Sequence, residues 1–414
     1  MTDVMGPVGP TELRARFARA LSELYGTEVP AYTTLVQACE QINAGVLDRL
    51  GTEAERLGTI DRVTAERHGA IRVGTGEELA QVGRIFGACG MYPVGFYDLR
   101  EATPPIPVVS TAFRPVDRGE LARNPFRVFT SVLVVDDRRF FDAETEGRLR
   151  EFLGARELFT PELLALADKA EADGFLPEPE AARFLELATA SFALSPEPVD
   201  RAWYDHLEQI SSVAADIGGV ASTHINHLTP RVLDIDELYA DMQRRGIEMI
   251  DRIQGPPRTD QPDVLLRQTS FRALAEPRAF REPDGAVTSG QLRVRFGEVE
   301  ARGVALTPRG RELYDAEGME AFGATDEDLH AADLAYYVRS ADGELLPIVY
   351  EDFLPKSAAG IFASNLTSDG SADASQQAAA RDAIWLREVL GRQLHDPYEL
   401  YDAERSAGDP AAAP

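Results

Sequence analysis

The chain of 414 residues is acidic, with a formal net charge of −27, and 44% of its residues are hydrophobic. Its length predicts two or three domains or one large duplicated domain, and its dispersed acidic residues argue against a nucleic-acid partner, because phosphate binding needs a basic face. No apolar run approaches the roughly 18 residues of a membrane span, and two cysteines without a signal peptide favour a cytoplasmic protein with no membrane partner.

Helical and extended patterns alternate along the chain. Apolar residues recur at helical spacing near the N-terminus, short β-like runs punctuated by Gly and Pro follow, and both patterns then return. Thr307 and Pro308 predict a helix start, as N-cap and first helical residue. We therefore predict an N-terminal helical segment (1–60), a first β-rich module (61–137), a helical insertion (138–215), a second β-rich module (216–306), a C-terminal segment (307–405) and a disordered tail (406–414).

The two β-rich segments repeat three motifs in the same order. The pairs are HGAIRVGTGEEL (68–79) with HLTPRVLDIDEL (227–238), TAFRP (111–115) with TSFRA (269–273), and RVFTSVL (127–133) with LRVRFGEVE (292–300). The second copy carries extra residues before its last strand, and AFREPDGAVTSG there predicts a hairpin. Three matches in fixed order predict an α+β fold built on two repeated modules.

The overlay selects a candidate metal site. His227, rather than His224, falls on His68, and Glu298 on a terminal strand falls opposite Ser131. Two histidines and one carboxylate are the set that typically holds non-haem Fe(II) with open positions for substrate and oxygen, and Ser131 as the fourth position is a poor ligand.

Several alternatives stay open at this point. Glu300 points to the same strand face as Glu298, so either glutamate fits the pattern. Both paired histidines also fit a purely local role at the start of a strand. His224 fits either an outer partner of a metal-bound imidazole or a strand-entry residue.

Four ordered blocks carry a resemblance to a known family. RHGAIRVGT, NHLTPRVLDID, the FGEVEARG–ALTPRGRELYD block and YEDFLPKSAAGIFASNL together resemble the 2-oxoadipate dioxygenase/decarboxylase family of the vicinal oxygen chelate superfamily. The resemblance implies paired βαβββ modules in a curved, barrel-like mixed sheet surrounded by helices. It also implies Fe(II)- and O2-dependent conversion of 2-oxoadipate to D-2-hydroxyglutarate and CO2 in lysine catabolism, with the C-terminal segment closing the active site.

The resemblance also assigns residues. It implies His68, His227 and Glu298 as catalytic iron ligands, favouring Glu298 over Glu300, with His68 also beside the substrate. It places a substrate-binding Arg at Arg72 and a substrate contact at or beside Lys356, where the family pattern has an apolar residue. The partners expected are a small 2-oxo dicarboxylic acid and O2, and the sequence predicts no oligomeric state.

The spacing of Arg72 suits a substrate clamp. On a strand, His68 and Arg72 share a face about 13 Å apart, so the guanidinium would bind a distal carboxylate while the metal binds the other end. The alternative is that Arg72 pairs with a protein acid such as Glu298 or faces solvent. Its counterpart Arg231 in the second copy makes a simple repeat feature possible.

Three other functions remain open. An aryl-pyruvate or extradiol dioxygenase would need aromatic pocket walls, which are sparse around His68 and His227. A glyoxalase-like isomerase using Zn or Ni often has a fourth protein ligand. A metal-free protein that sequesters a small molecule would bind no stoichiometric iron and consume no oxygen.

Overall fold

The computed structural model describes residues 6–273, 275–293, 295–340, 342–354, 372–373 and 375–408. The helices are α1 (Pro10–Glu28), α2 (Pro30–Leu50), α3 (Ile60–Ala65), α4 (Gly76–Ala88), α5 (Arg118–Arg123), α6 (Ala143–Ala155), α7 (Pro161–Asp173), α8 (Glu178–Ser191), α9 (Arg201–Ile210), α10 (Ser212–Gly219), α11 (Ile235–Arg244), α12 (Pro308–Glu317), α13 (Asp326–Ala331), α14 (Ala383–Leu390) and α15 (Pro397–Ala407).

The strands are β1 (Arg67–Val73), β2 (Tyr92–Asp98), β3 (Val108–Arg114), β4 (Arg127–Leu133), β5 (Val199–Asp200), β6 (His227–Pro230), β7 (Leu266–Phe271), β8 (Glu276–Arg281), β9 (Val287–Leu292), β10 (Gly297–Arg302), β11 (Tyr337–Arg339) and β12 (Leu345–Pro347). The predicted mixed α+β class is confirmed. Among the described helices, none combines the length and apolar character needed to cross a bilayer.

A five-stranded sheet forms the centre of the fold, in the order β2-β3-β4-β1-β6. The β1–β4 pair is parallel, and the other neighbours are antiparallel. Alternate side chains of its strands point to opposite faces, so Ile71 and Val73 join the core that includes α4, while Ala70 and Phe129 join the core on the other side. Because both faces are covered, polar side chains on the second face are buried inside the protein.

The described strands form separate open sheets and no closed barrel, so the expected single barrel-like sheet is not seen. β7 and β10 form their own antiparallel pair, which meets the central sheet at one isolated bridge between Arg231 and Glu300. The physical reason is that β6 is short and ends at Pro230, which has no N–H to donate to a longer ladder.

Local signals in the sequence position several elements. The Thr307 side chain accepts a hydrogen bond from the backbone N–H of Gly310, and Pro308 opens α12, as predicted. Thr75 and Glu78 form a capping box at the start of α4, directly after β1. The predicted hairpin is formed by β8 and β9. Lys356 and residues 409–414 of the predicted tail lie outside the described residues.

Candidate metal and substrate site

Three buried side chains meet between β1, β6 and β10. His68 Nε2 lies 3.4 Å from Glu298 Oε1, and His227 Nε2 lies 3.6 Å from Glu298 Oε2. One donor atom from each residue can be chosen so that all lie within 4.8 Å of one another. The three residues are each 1–3% exposed, which places two imidazoles and one carboxylate around one interior point.

Strand pairing explains why residues so distant in sequence converge. In the antiparallel β1–β6 ladder, His227 is paired with Ala70 and His68 with Thr229. Paired residues share a face of the sheet, so both histidines project to the same side, one from each strand. The Arg231–Glu300 bridge then sets β10 beside β6 and delivers Glu298 to the same side.

Each of the three side chains also has an outer partner. His68 Nδ1 lies 2.8 Å from Glu300 Oε2, and His227 Nδ1 lies 3.0 Å from Thr229 Oγ1. The Gln268 amide donates a hydrogen bond to Glu298 Oε1. These partners orient the rings so that both Nε2 atoms face Glu298. The geometry therefore places Glu298 at the centre and Glu300 behind His68.

The two glutamates differ in pKa because their surroundings differ. Burial raises the pKa of Glu298. Burial acts in the same direction on Glu300, but Arg302 and His68 outweigh it and hold the pKa of Glu300 well below its usual range. The Arg302 guanidinium binds Glu300 through two hydrogen bonds of 2.8 and 2.9 Å. Glu300 is thus a fixed anion behind His68.

The two histidines also differ in pKa. Burial, and then repulsion from His68, lowers the pKa of His227 well below its usual value. Burial opposes protonation of His68 too, but Glu300 and Glu298 outweigh it and raise the pKa of His68. His227 is therefore neutral at physiological pH, which is the form that binds metals.

Aromatic rings line the site, although few aromatic residues flank His68 and His227 in the sequence. Phe296 stacks on His227 with ring centroids 5.2 Å apart, and Phe353 meets the His68 ring edge-on at 5.0 Å. Phe129 packs on Phe353 at 5.1 Å. These apolar surfaces exclude water from the two imidazoles and strengthen electrostatic interactions within the site.

Arg72 lies on the same face of β1 as His68, but its guanidinium binds a protein acid. Arg72 Nη1 donates to Asp216 Oδ2 of α10, and both side chains are buried. Of the alternatives raised by the sequence, pairing with an acid is the one observed, although the partner is Asp216 rather than Glu298. Asp216 was not among the residues predicted from the sequence, where its signal is a lone carboxylate within the apolar helix SVAADIGG.

His224 belongs to the Arg72 side of the site. Its Nε2 lies 3.1 Å from Asp216 Oδ1, and the neighbouring Asn226 amide donates to Asp216 Oδ2 at 2.9 Å. The outer partners of His68 and His227 are the side chains described above, so His224 supports Asp216 rather than a metal-binding ring.

The strand register corrects the overlay at Ser131. Ser131 is paired with Arg72, whereas the overlay counterpart of Arg72, Arg231, is bridged to Glu300. Glu300 therefore lies beside Arg231 as Ser131 lies beside Arg72, two residues from the position at which the overlay sets Glu298 opposite Ser131. A two-residue slip keeps every side chain on its original face, which is why side-chain alternation could not reveal it.

A buried charge network lies behind Glu300 and was also missed. Glu66 is fully buried, with Arg127 2.7 Å and Arg231 2.8 Å from its carboxylate and Arg302 3.4 Å away. Arg127 also forms an ion pair with Glu351, with 2.7 Å between Nη2 and Oε2. Because Arg302 binds both Glu66 and Glu300, this network holds the outer partner of His68 in place.

Comparisons with known proteins agree on one family. A family model described as 2-oxoadipate dioxygenase/decarboxylase matches residues 17–365. A protein of that name from Mycobacterium bovis is 61% identical over 401 residues, covering 95% of this chain and 96% of the relative. Its namesake from Escherichia coli is 39% identical over 438 residues, covering 94% and 95%. The crystal structure of hydroxyglutarate synthase from Pseudomonas putida in complex with 2-oxoadipate matches with a TM-score of 0.83 and 34% identity, over 97% of each chain.

Proposed function

The chain belongs to the 2-oxoadipate dioxygenase/decarboxylase family, and we propose that His68, His227 and Glu298 hold the Fe(II) with which it works. It is an oxygenase and decarboxylase that converts 2-oxoadipate and O2 to D-2-hydroxyglutarate and CO2. The single observation that carries the metal assignment is the convergence of these three side chains at one buried point. The reaction fits a step of lysine degradation in the cytoplasm, where the free thiols of Cys39 and Cys89 stay reduced.

The donor set fits Fe(II). Two imidazoles and one carboxylate bind iron without filling its coordination positions, and the outer partners of both rings fix their orientation. When bound, Fe(II) in such a site activates O2 for oxidative decarboxylation of a 2-oxo acid. A closed structural site would instead need a fourth protein ligand, and Phe129 and Phe353 near His68 offer none.

The reaction balances without a second organic substrate. One molecule of 2-oxoadipate loses its first carbon as CO2, and the two atoms of O2 end in the new carboxylate and the new hydroxyl of the five-carbon product. The protein binds the diacid, holds its reacting end beside His68 and keeps water out with Phe296 and Phe353. We assign the distal carboxylate to Arg72, because a guanidinium pairs with a carboxylate through two hydrogen bonds.

The repeated modules remain our proposal for the fold. A strand and then a helix open both β1-α4-β2-β3-β4 and β6-α11-β7-β10; three strands follow the helix in the first segment, and two strands with the inserted β8–β9 hairpin follow it in the second. The β1–β6 register supports the proposal, since His68 is paired with Thr229 and Ala70 with His227, as a twofold axis between the copies would require. Such a pairing brings one histidine from each copy to a shared site.

Replacing Glu300 by glutamine is expected to weaken Fe(II) binding by about 10- to 100-fold, because His68 loses the anion that orients it and increases its basicity. Anaerobic Fe(II) titration measures the change. Glu282→Gln, half-buried in the turn of the β8–β9 hairpin where it pairs with Arg201, is the control and should leave the affinity unchanged. An unaltered affinity in Glu300→Gln would contradict the assigned role.

The experiment that tests the function is oxygen uptake by Fe(II)-reconstituted protein given 2-oxoadipate, 2-oxoglutarate or hydroxyphenylpyruvate separately. We expect uptake with 2-oxoadipate, and Arg72→Met should raise its KM at least 10-fold, in line with the roughly 1.5–3 kcal/mol of a hydrogen bond to a charged group. Arg84→Met, which breaks an exposed pair with Asp168, is the matched control. Uptake with hydroxyphenylpyruvate alone would contradict the assignment of the distal carboxylate to Arg72. A protein that neither binds iron nor consumes oxygen would be a metal-free binding protein.

A further inference from the structure

Arg72 is held from two directions. Its backbone is fixed in β1, where its carbonyl accepts a hydrogen bond of 2.6 Å from Thr223 Oγ1, and its guanidinium is fixed by Asp216. The carboxylate of Asp216 is itself placed by His224 and Asn226. All of these side chains are at most 4% exposed, so the position of the guanidinium is set by protein groups rather than by solvent.

The helix that carries Asp216 is a rigid platform. Every residue of α10 is buried. Trp203 Nε1 donates to the carbonyl of Gly218 at 2.8 Å, and Arg156 Nη1 donates to the carbonyl of Ile217 at 2.8 Å. An added Cβ at Gly218 would come within 2.3 Å of the Leu149 side chain, so the helix has no room to shift. The carboxylate of Asp216 therefore holds the Arg72 guanidinium in a fixed position.

We propose that Asp216 is a specificity-determining residue that sets the length of the dicarboxylic 2-oxo acid the site accepts. The inference rests on the proposed function, in which the metal binds one end of the substrate and Arg72 the other. The span between these two groups must match the chain of the substrate. Asp216 fixes the far end of that span by fixing the guanidinium, and it does so without touching the substrate.

The buried pairing favours this role over simple charge neutralisation. The companion Arg231 is bound by Glu66 within a network of several arginines, whereas the carboxylate of Asp216 binds Arg72 together with the side chains of His224 and Asn226. A glutamate at position 216 would keep the negative charge but extend it by one methylene. Charge neutralisation would survive this change, while the position of the guanidinium would not.

The test compares Asp216→Glu with the wild type on 2-oxoglutarate, 2-oxoadipate and 2-oxopimelate, which have five, six and seven carbons. We expect the kcat/KM ratio of 2-oxoadipate to 2-oxoglutarate to fall by about 10-fold, the discrimination that one methylene supports. Fe(II) affinity should stay within twofold, because the metal site is untouched. Asp137→Glu, in a buried pair with Arg100, which follows β2, is the matched control and should leave the ratios unchanged.

Two further variants distinguish a change in substrate specificity from misfolding. Asp216→Asn should raise KM for all three diacids by a larger factor than KM for the monocarboxylic 2-oxohexanoate, which has no distal carboxylate for Arg72 to bind. His224→Phe keeps a ring of similar size but loses the contact with Asp216, and it should shift the ratio in the same direction by a smaller factor.

Equal loss with all three diacids and 2-oxohexanoate in these variants would show that Asp216 is only structural and would overturn the proposal. Unchanged ratios in Asp216→Glu would overturn it as well. Absence of oxygen uptake by the wild type with every diacid would be a distinct result, since it would contradict the proposed function and take the inference with it.

Discussion

Replacing His227 by alanine is expected to abolish stoichiometric Fe(II) binding and oxygen uptake together. His227 is one of only two imidazoles in the buried cluster, and a pair of ligands is a far weaker site than three. The loss of affinity should exceed the roughly 100-fold that removal of an outer partner costs. Anaerobic titration with Fe(II), followed by oxygen uptake with 2-oxoadipate, measures both effects on one sample.

The control for this variant is His206→Ala. His206 is an exposed histidine on α9, where it lies against Thr145 and Trp203, away from the cluster. It should bind iron and turn over as the wild type does. Full iron occupancy in His227→Ala would show that the metal is bound elsewhere, and the assignment of the cluster would then be wrong.

Replacing Glu66 by glutamine is expected to lower the free energy of unfolding by about 3–5 kcal/mol, the cost of removing one partner from a buried ionic cluster. The change leaves Arg127, Arg231 and Arg302 facing one another without the carboxylate between them. Urea unfolding measures the effect. Glu162→Gln, in an exposed pair with Arg183, is the control and should not change stability measurably.

The effect of Glu66→Gln should depend on pH. Burial opposes ionisation of Glu66, but Arg231, Arg127 and Arg62 outweigh it and lower its pKa below the usual 4.5. A carboxylate with a lowered pKa in the folded state stabilises the protein above the unfolded-state pKa, and loses that contribution as pH falls through the folded-state value. The difference between wild type and variant should therefore be largest above about pH 4.5 and should shrink in stronger acid. A difference that does not change with pH would rule out this charge as the source.

The cluster itself could be predicted because its residues belong to short repeated motifs. His68 and His227 each open a strand within a recognisable pattern, and the pattern places Glu298 or Glu300 on the facing strand. Side-chain alternation could not choose between the glutamates, since both lie on one face of β10; the family resemblance favoured Glu298. In the structure, Arg302 binds Glu300 and leaves Glu298 to face the histidines.

The supporting charges could not be predicted, because nothing local marks them. Asp216 lies 144 residues from Arg72, and Glu66 lies 61 residues from Arg127. The first pair is set by how α10 packs on the sheet and the second by how β1 pairs with β4, and a periodic pattern encodes neither. The prediction of a barrel-like sheet was wrong for a related reason. The sequence pattern identifies strands, but β6 is too short to join the β7–β10 pair to the central sheet over more than one bridge.

The most direct test of the central claim uses isotopically labelled oxygen. Fe(II)-reconstituted protein is given 2-oxoadipate under 18O2, and the product, CO2 and consumed oxygen are measured together. We expect equal amounts of O2 consumed and CO2 released, with one labelled atom in the new carboxylate and one in the new hydroxyl of 2-hydroxyglutarate. A product whose hydroxyl oxygen comes from water, or CO2 release without oxygen consumption, would contradict it.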